Sequence, residues 1–343
     1  MTPDVVDRIV PLTPADVGDA MRLSMAAQWN QNEADWRTML ELGEGWGIRL
    51  AVDGRTTLAA STVVLPYDGG FAWISMVLVL PAVRRLGLAT RLLQHALGVL
   101  RLRGLRPVLD ATPAGRAVYL QQGFHDTWGF TRYRREAVDA GTAPAAAAPT
   151  TRALRDTDWP AVAALDAPAF GANRLPLLRR LAARWPAAAR VVEQEGRLRG
   201  FVLGRDGREA GQIGPLLADD ESTARRLLAD ALDATAAPVY VDLCDEHAAL
   251  RPWLRSLGFV AERPFTRMVH AVAGAPPPPG AGARRRPWRP STSAFRARPA
   301  PPTARRASTS PTSSRSSRRS STGAGSGPSP TTRSAGCPGG SRS

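Results

Sequence analysis

Two short motifs each return once along this chain, at the same spacing. Ala89-Thr-Arg-Leu-Leu93 comes back as Ala224-Arg-Arg-Leu-Leu228. Gly123-Phe124, five residues and then Phe130-Thr-Arg132 comes back as Gly258-Phe259, five residues and then Phe265-Thr-Arg267. Both pairs are 135 positions apart. One offset shared by separated motifs points to a duplicated domain, not to the short period of a solenoid. Each copy must then be a fold that a chain of this size can close around a core of its own.

The copies end before the chain does. Its 343 residues hold 45 Arg and no Lys against 30 acids, a net charge of +15. From Gly274 onward there are 13 Arg and no acid, which leaves 32 Arg against 30 acids before it. The basic character belongs to the tail, so the chain as a whole is not a basic nucleic-acid binder. That tail also lacks Leu, Ile, Val, Met and Tyr. Without apolar surface to bury it does not offset its ordering entropy, and 272–343 is expected to be disordered. It reads either as a basic arm for nucleic acid or a membrane surface, or as the product of a shifted reading frame. The expected organisation is a domain at 1–137, an Ala/Pro-rich linker at 138–151, a second domain at 152–271 and the tail.

Other classes fall away. Acids stand near the start where a signal peptide needs an apolar run. No stretch approaches the roughly 18 apolar residues of a membrane helix. Cys244 and Cys337 are too few for a disulfide framework or a four-ligand zinc site, and His95, His125, His247 and His270 lie far apart. A cytoplasmic protein with no metal and no membrane partner is expected; a homodimer stays open.

Within the first copy the patterns predict a strand at Val5–Val10, helices at Pro14–Ala27 and Glu33–Leu42, and a hairpin of Gly47–Val52 and Thr57–Leu65 about Asp53-Gly54. Then come a long apolar strand at Phe71–Leu80, a helix carrying the stripe Ala89, Leu92, Leu93, Ala96, Leu97 and Leu100, a short strand at Pro107–Leu109, a helix at Ala114–Gln121 and a closing strand at Phe124–Arg134. The fold class is α/β (α+β): a mixed, mostly antiparallel sheet flanked by helices, twice.

Chemistry concentrates after the long strand. Arg84-Arg85-Leu86-Gly87-Leu88-Ala89 leaves Pro81 and runs directly into a helix. A helix N-terminus presents unpaired N–H groups and partial positive charge. Gly87 and Ala89 are small enough for a phosphate to reach the backbone, and the arginines add charge. The residues point to a diphosphate or a similar anion; an ordinary strand-to-helix turn with solvated arginines is the bland alternative.

Here the sequence resembles the GCN5-related N-acetyltransferases. Arg84–Ala89 is similar to that superfamily's Arg/Gln-x-x-Gly-x-Gly/Ala acetyl-CoA loop, and Tyr119-Leu-Gln-Gln-Gly123-Phe124 to its Tyr-x-x-x-Gly-Phe helix end. Trp29–Trp36, Met76–Val79, Leu109–Arg116, Ile213-Gly-Pro215 and Arg263–Met268 resemble segments of a bacterial tandem group. The resemblance implies that the backbone of Val77, Leu78 and Val79 pairs with a pantetheine arm, and that amides of Arg84, Arg85, Leu86, Gly87, Leu88, Ala89 and Thr90 hold a pyrophosphate. A primary amine of a small molecule or peptide would attack the thioester directly, without a metal. Tyr119 would face the sulfur and protonate the departing thiolate, its reference pKa of about 10 keeping it protonated near neutrality. A core tyrosine is the alternative.

The second copy departs from this pattern. At the same offset Arg84, Arg85, Leu86 and Gly87 become Asp219, Asp220, Glu221 and Ser222, and Tyr119 becomes Leu254. Carboxylates there would repel a diphosphate, so this copy is expected to be degenerate. Trp29, Asn30, Glu33 and Trp36 are candidate acceptor contacts, or else helix caps and core. Glu33, Glu41 and Glu44 are candidate bases, while His125 and Cys244 read as ordinary strand residues. The expected activity is acetyl-CoA-dependent N-acetyl transfer, with a non-catalytic acyl-CoA sensor or partner-binding protein as the alternative.

Overall fold

A computed structural model describes residues 8–52, 54–137, 150–235 and 237–271, and the backbone of 294–297. Of the linker expected at 138–151, residues 138–149 lie outside the described residues, as do 1–7, with the start of the strand expected at Val5–Val10, and the rest of the tail.

The first copy runs β1 (Ile9–Leu12), α1 (Val17–Ala26), α2 (Glu33–Leu42), β2 (Glu44–Val52), β3 (Arg55–Tyr67), β4 (Phe71–Val79), α3 (Leu88–Leu102), β5 (Arg106–Ala111), α4 (Pro113–Gln121) and β6 (Phe124–Arg135). The second runs β7 (Thr151–Ala153), α5 (Trp159–Phe170), α6 (Leu175–Arg184), β8 (Arg190–Gln194), β9 (Arg197–Arg205), β10 (Gly211–Ala218), α7 (Glu221–Leu232), β11 (Val239–Cys244), α8 (Arg251–Ser256) and β12 (Val260–His270). The helix expected from Pro14 begins as a 3-10 turn, Pro14–Asp16, because Asp16 folds back to accept the Thr13 amide at 2.8 Å. Asn32 caps α2, accepting the Asp35 amide at 3.1 Å. On α3 the stripe of Leu92, Leu93, Ala96 and Leu100 is buried.

The described strands form one sheet, and its order departs from two sheets side by side. It runs β1-β2-β3-β4-β5-β12-β6-β11, then β10-β9-β8-β7. β5 is followed not by its own closing strand β6 but by β12 of the other copy, and β6 pairs with β11 in return. The closing strands are exchanged. Met268 of β12 accordingly sits in the core beneath α3, with Leu92, Ile74 and Leu109, and Tyr133 of β6 sits beneath α7, with Leu227, Val202 and Val241. β6 and β12 carry the same Phe-Thr-Arg motif, so either fits either slot, and a sequence pattern does not tell own from exchanged.

Two buried ion pairs cross the exchange. Arg132 donates to Asp242 at 2.8 and 2.9 Å. Arg267, fully buried between the rings of Trp73 and Trp128, donates to both carboxylate oxygens of Asp110. Asp110 and Asp242 are thus equivalent positions, so the offset slips by three residues at β5 and β11.

One departure touches the tail. The backbone of β13 (Ala294–Ala297) pairs with β10 and β11 where those strands separate. Backbone pairing needs no apolar side chain, so the compositional case against structure does not reach it. Among the described residues no helix is long and apolar enough to cross a membrane.

Candidate functional site

The first copy opens a wedge in its sheet. β4 and β5 pair in parallel only between Phe71–Trp73 and Arg106–Val108, and beyond that they diverge. Met76 marks the opening with φ of 51°, held where the Ser61 hydroxyl donates to its carbonyl at 2.8 Å. The Leu80 amide is spent on Ala59. Strand alternation then turns Leu78 toward β3 and the main-chain groups of Val77 and Val79 toward the wedge.

A groove of about 720 Å³ leads from the wedge to the first turn of α3. Val77, Leu78, Val79, Arg84, Arg85, Gly87, Leu88, Ala89 and Thr90 line it. Leu86 does not, and its side chain points to solvent. Arg85 and Gly87 take left-handed φ of 68° and 75°, and Gly87 is the N-cap without any side-chain hydrogen bond. The first intrahelical bond runs from the Arg91 amide to Gly87. The amides of Leu88, Ala89 and Thr90 therefore lack helical partners and are left for an anion.

The second copy closes the same place with its own atoms. Asp220 caps α7, accepting from the Thr223 amide at 2.7 Å and the Ser222 hydroxyl at 2.8 Å. Burial raises its pKa, but those donors more than offset that and leave the carboxyl below its ordinary value. Asp219 pairs with Arg199. A carboxylate of this copy thus takes up the amides at the start of α7, and the backbone of β13, from the tail, lies between β10 and β11.

Tyr119 lines the groove from α4, its ring edge-on to Phe124 at 5.9 Å. Thr112 caps α4 and fixes its start. Burial pushes the Tyr119 phenol up to about 12.

A second cavity, about 190 Å³, lies between the two copies. Trp29, Ile74, Ser75, Asp110 and Arg263 line both it and the groove, so the two spaces meet there. Burial raises the Asp110 carboxyl, and Arg267 pulls against it. Trp29 is the predicted acceptor contact that reaches the seam. Asn30 lines the cavity, but its carboxamide is committed to the other copy: it donates to Ala210 and accepts from the amides of Glu209 and Ala210 at 2.8–3.0 Å. Arg208 holds the Trp29 carbonyl at 2.9 Å. This segment clamps the halves together and sets Trp29 in place. Trp36 is instead a core residue, donating to the Ser24 hydroxyl at 2.8 Å. Glu33 lies exposed on α2, Glu41 pairs with Arg180 and Glu44 with Arg103, and none lines either space. His125 is exposed and Cys244 buried in β11.

The sequence reading passed over Asp35, Asp110, Arg132, Arg263 and Gln212, all of which line the cavity. They lay within segments noted for the resemblance or the repeat, Trp29–Trp36, Leu109–Arg116, Phe130–Arg132 and Arg263–Met268, or beside one, as Gln212 does, but nothing in those segments joins them, since each carboxylate meets its arginine from the other copy.

Comparison with known proteins bears on both copies. Residues 20–124 match the acetyltransferase (GNAT) family model, and residues 162–280 match an acetyltransferase (GNAT) domain model. An uncharacterized N-acetyltransferase, YitH of Bacillus subtilis, is 26% identical over 257 residues, covering 75% of this chain and 89% of that protein. A putative acetyltransferase from Pyrococcus horikoshii shares the fold with a TM-score of 0.63 at 21% identity, over 79% of this chain and 92% of its own. A tandem GNAT protein from the clavulanic acid biosynthesis pathway superposes with a TM-score of 0.58 at 18% identity, over 79% and 99%.

Proposed function

We propose, for a chain that belongs to the GCN5-related N-acetyltransferase (GNAT) superfamily with two of its domains in tandem, acetyl-CoA-dependent transfer of an acetyl group to a primary amine of a small molecule or peptide, run by the first domain alone. One observation carries this reading: the groove and the interdomain cavity meet at Ile74, Ser75 and Asp110. A thioester laid along the wedge and an amine in the cavity would come together at that seam.

The residues divide the work. The α3 amides and Arg84 and Arg85 would take the pyrophosphate, and the turned-out backbone of Val77 and Val79 would pair with the pantetheine amides. Trp29 would bound the acceptor at the seam. Attack of the amine forms the carbon–nitrogen bond, breaks the carbon–sulfur bond and leaves a thiolate, which takes up the proton that the nitrogen sheds. A phenol at about 12 is a weaker acid than a thiol at about 8.5, so Tyr119 would donate a hydrogen bond to the growing charge and not surrender its proton outright. The second domain would contribute by completing the sheet and walling the acceptor cavity.

The test is isothermal calorimetry with acetyl-CoA, followed by thiol release across a panel of amines. One cofactor per chain and amine-dependent release are expected. Two cofactors per chain would overturn the division of labour, and binding without release for any amine would favour a sensor.

A further inference from the structure

Gln212 stands on β10, opposite Arg205 on β9 and Tyr240 on β11. Its side chain is 3% exposed and lines the interdomain cavity. Neither its Oε1 nor its Nε2 has a hydrogen-bond partner. Buried polar groups are normally paired, and a buried carboxamide with both ends unmet is costly. From the first copy, Gln31 lines the same cavity with its Oε1 also unmet.

Arg263, at the seam, stands 3.7 Å from Glu262 with its Nε unmet, and the other charged groups around the cavity are committed. Arg132 is bound to Asp242, Asp110 to Arg267, and Asp35 to both Arg184 and Arg205. What remains open at Gln212 is neutral and two-sided, one donor beside one acceptor. A carboxylate would use the donor and leave Oε1 facing an anion. An ammonium would use the acceptor and leave Nε2 unmet. A planar amide offers one N–H and one C=O and satisfies both. Phe130, Phe265, Trp73 and Leu65 supply apolar walls. The volume of about 190 Å³ is a little more than the ~150 Å³ of a cavity that takes benzene.

We propose that Gln212 determines specificity, and that the acceptor is an amine bearing a neutral amide and one apolar group about the size of a ring, as an amino-acid amide or the first residue of a peptide does. This rests on acetyl transfer as the reaction. The degenerate domain would then read the substrate that the first domain modifies.

The full chain is assayed by thiol release with phenylalanine amide, phenylalanyl-glycine, phenylalanine and phenethylamine. Two hydrogen bonds predict a kcat/KM for phenylalanine amide about 10- to 100-fold above that for phenethylamine or phenylalanine. Gln212→Leu should collapse that ratio toward one. Turnover of phenylalanyl-glycine at the rate of the amide would assign the source to peptides; its rejection would assign it to free amides. Gln212→Leu should also raise Tm in the free protein, because it removes an unmet buried group. Equal wild-type rates for amide and phenethylamine, a ratio that survives the substitution, or a lowered Tm would each overturn the assignment. Acetyl-CoA binding in calorimetry with no release for any of the four amines would overturn the acceptor class alone. Absence of acetyl-CoA binding would overturn the transfer reading beneath it.

Discussion

Phe130 and Phe265 lie directly opposite each other in the β6–β12 pairing, their rings stacked with centroids 5.0 Å apart and planes 9° apart. They are the same position of the two copies, so a local two-fold relation runs between them. One step out on either side, that relation sends Arg132 to Asp242 and Arg267 to Asp110. The stack is the centre of an exchange in which each copy completes the core of the other.

The halves are therefore not separable. In a fragment of residues 1–137, β5 has lost its neighbour β12, and the core beneath α3 has lost Met268. The full chain is expected to unfold in one cooperative thermal transition, and the fragment to show none as a monomer. A monomeric fragment that melts cooperatively and binds acetyl-CoA would show that β6 can return to its own copy.

The elements of the first copy were legible because each leaves a local mark: the α3 stripe, the β2–β3 hairpin, the Asn32 cap. The turn into α3 that leaves amides free was legible too, since Gly87 and its arginines are contiguous. The exchange was not, because β6 and β12 carry interchangeable motifs. The interdomain cavity was not either. Its polar wall is assembled from residues such as Asp35 and Arg205, far apart in sequence and paired only across the domain boundary. Trp36 shows the limit from the other direction. Its spacing from Trp29 fits a pocket wall and a core equally, and the bond to Ser24 settles it as core.

Arg267 gives a test of the exchange at one residue. Its fully buried guanidinium neutralises Asp110, which burial already pushes toward its protonated form. Arg267→Met leaves that carboxylate buried without its partner and should cost about 3–5 kcal/mol by chemical denaturation. The double variant Arg267→Met/Asp110→Asn should recover part of that loss. A single variant within about 1 kcal/mol of the native protein would show that water reaches Asp110.

Gly87→Glu probes the anion site. An added Cβ at Gly87 meets open space, so the change acts through the left-handed φ of 75° and through charge, and not by a clash. Acetyl-CoA affinity should fall by at least about 100-fold in calorimetry, with an unchanged circular dichroism spectrum. Asp220→Ala is the counterpart in the second domain. It removes a helix cap and should cost about 1 kcal/mol of stability without altering affinity or the stoichiometry of one. A second cofactor bound by Asp220→Ala would mean that the carboxylate alone had kept that copy empty.

Tyr119→Phe tests the hydroxyl at the groove. The phenol is held at about 12 by burial. The folded value lies above the reference of about 10, so the proton stays on through neutral and moderately alkaline pH and leaves only as pH approaches 12. The wild-type rate should therefore show no alkaline limb from Tyr119 below about pH 11. Removing a donor aimed at developing negative charge costs roughly 10²–10³-fold in kcat, and that is the loss expected here, with acetyl-CoA affinity and acceptor KM little changed. The shape of the pH–rate profile should be the same in both proteins, because the group lost does not titrate in the accessible range. A near-normal kcat would remove Tyr119 from the reaction. An alkaline limb near pH 9–10 that disappears in Tyr119→Phe would instead mean that the phenol loses its proton during turnover, and that closure of the occupied groove lowers its pKa by some two units.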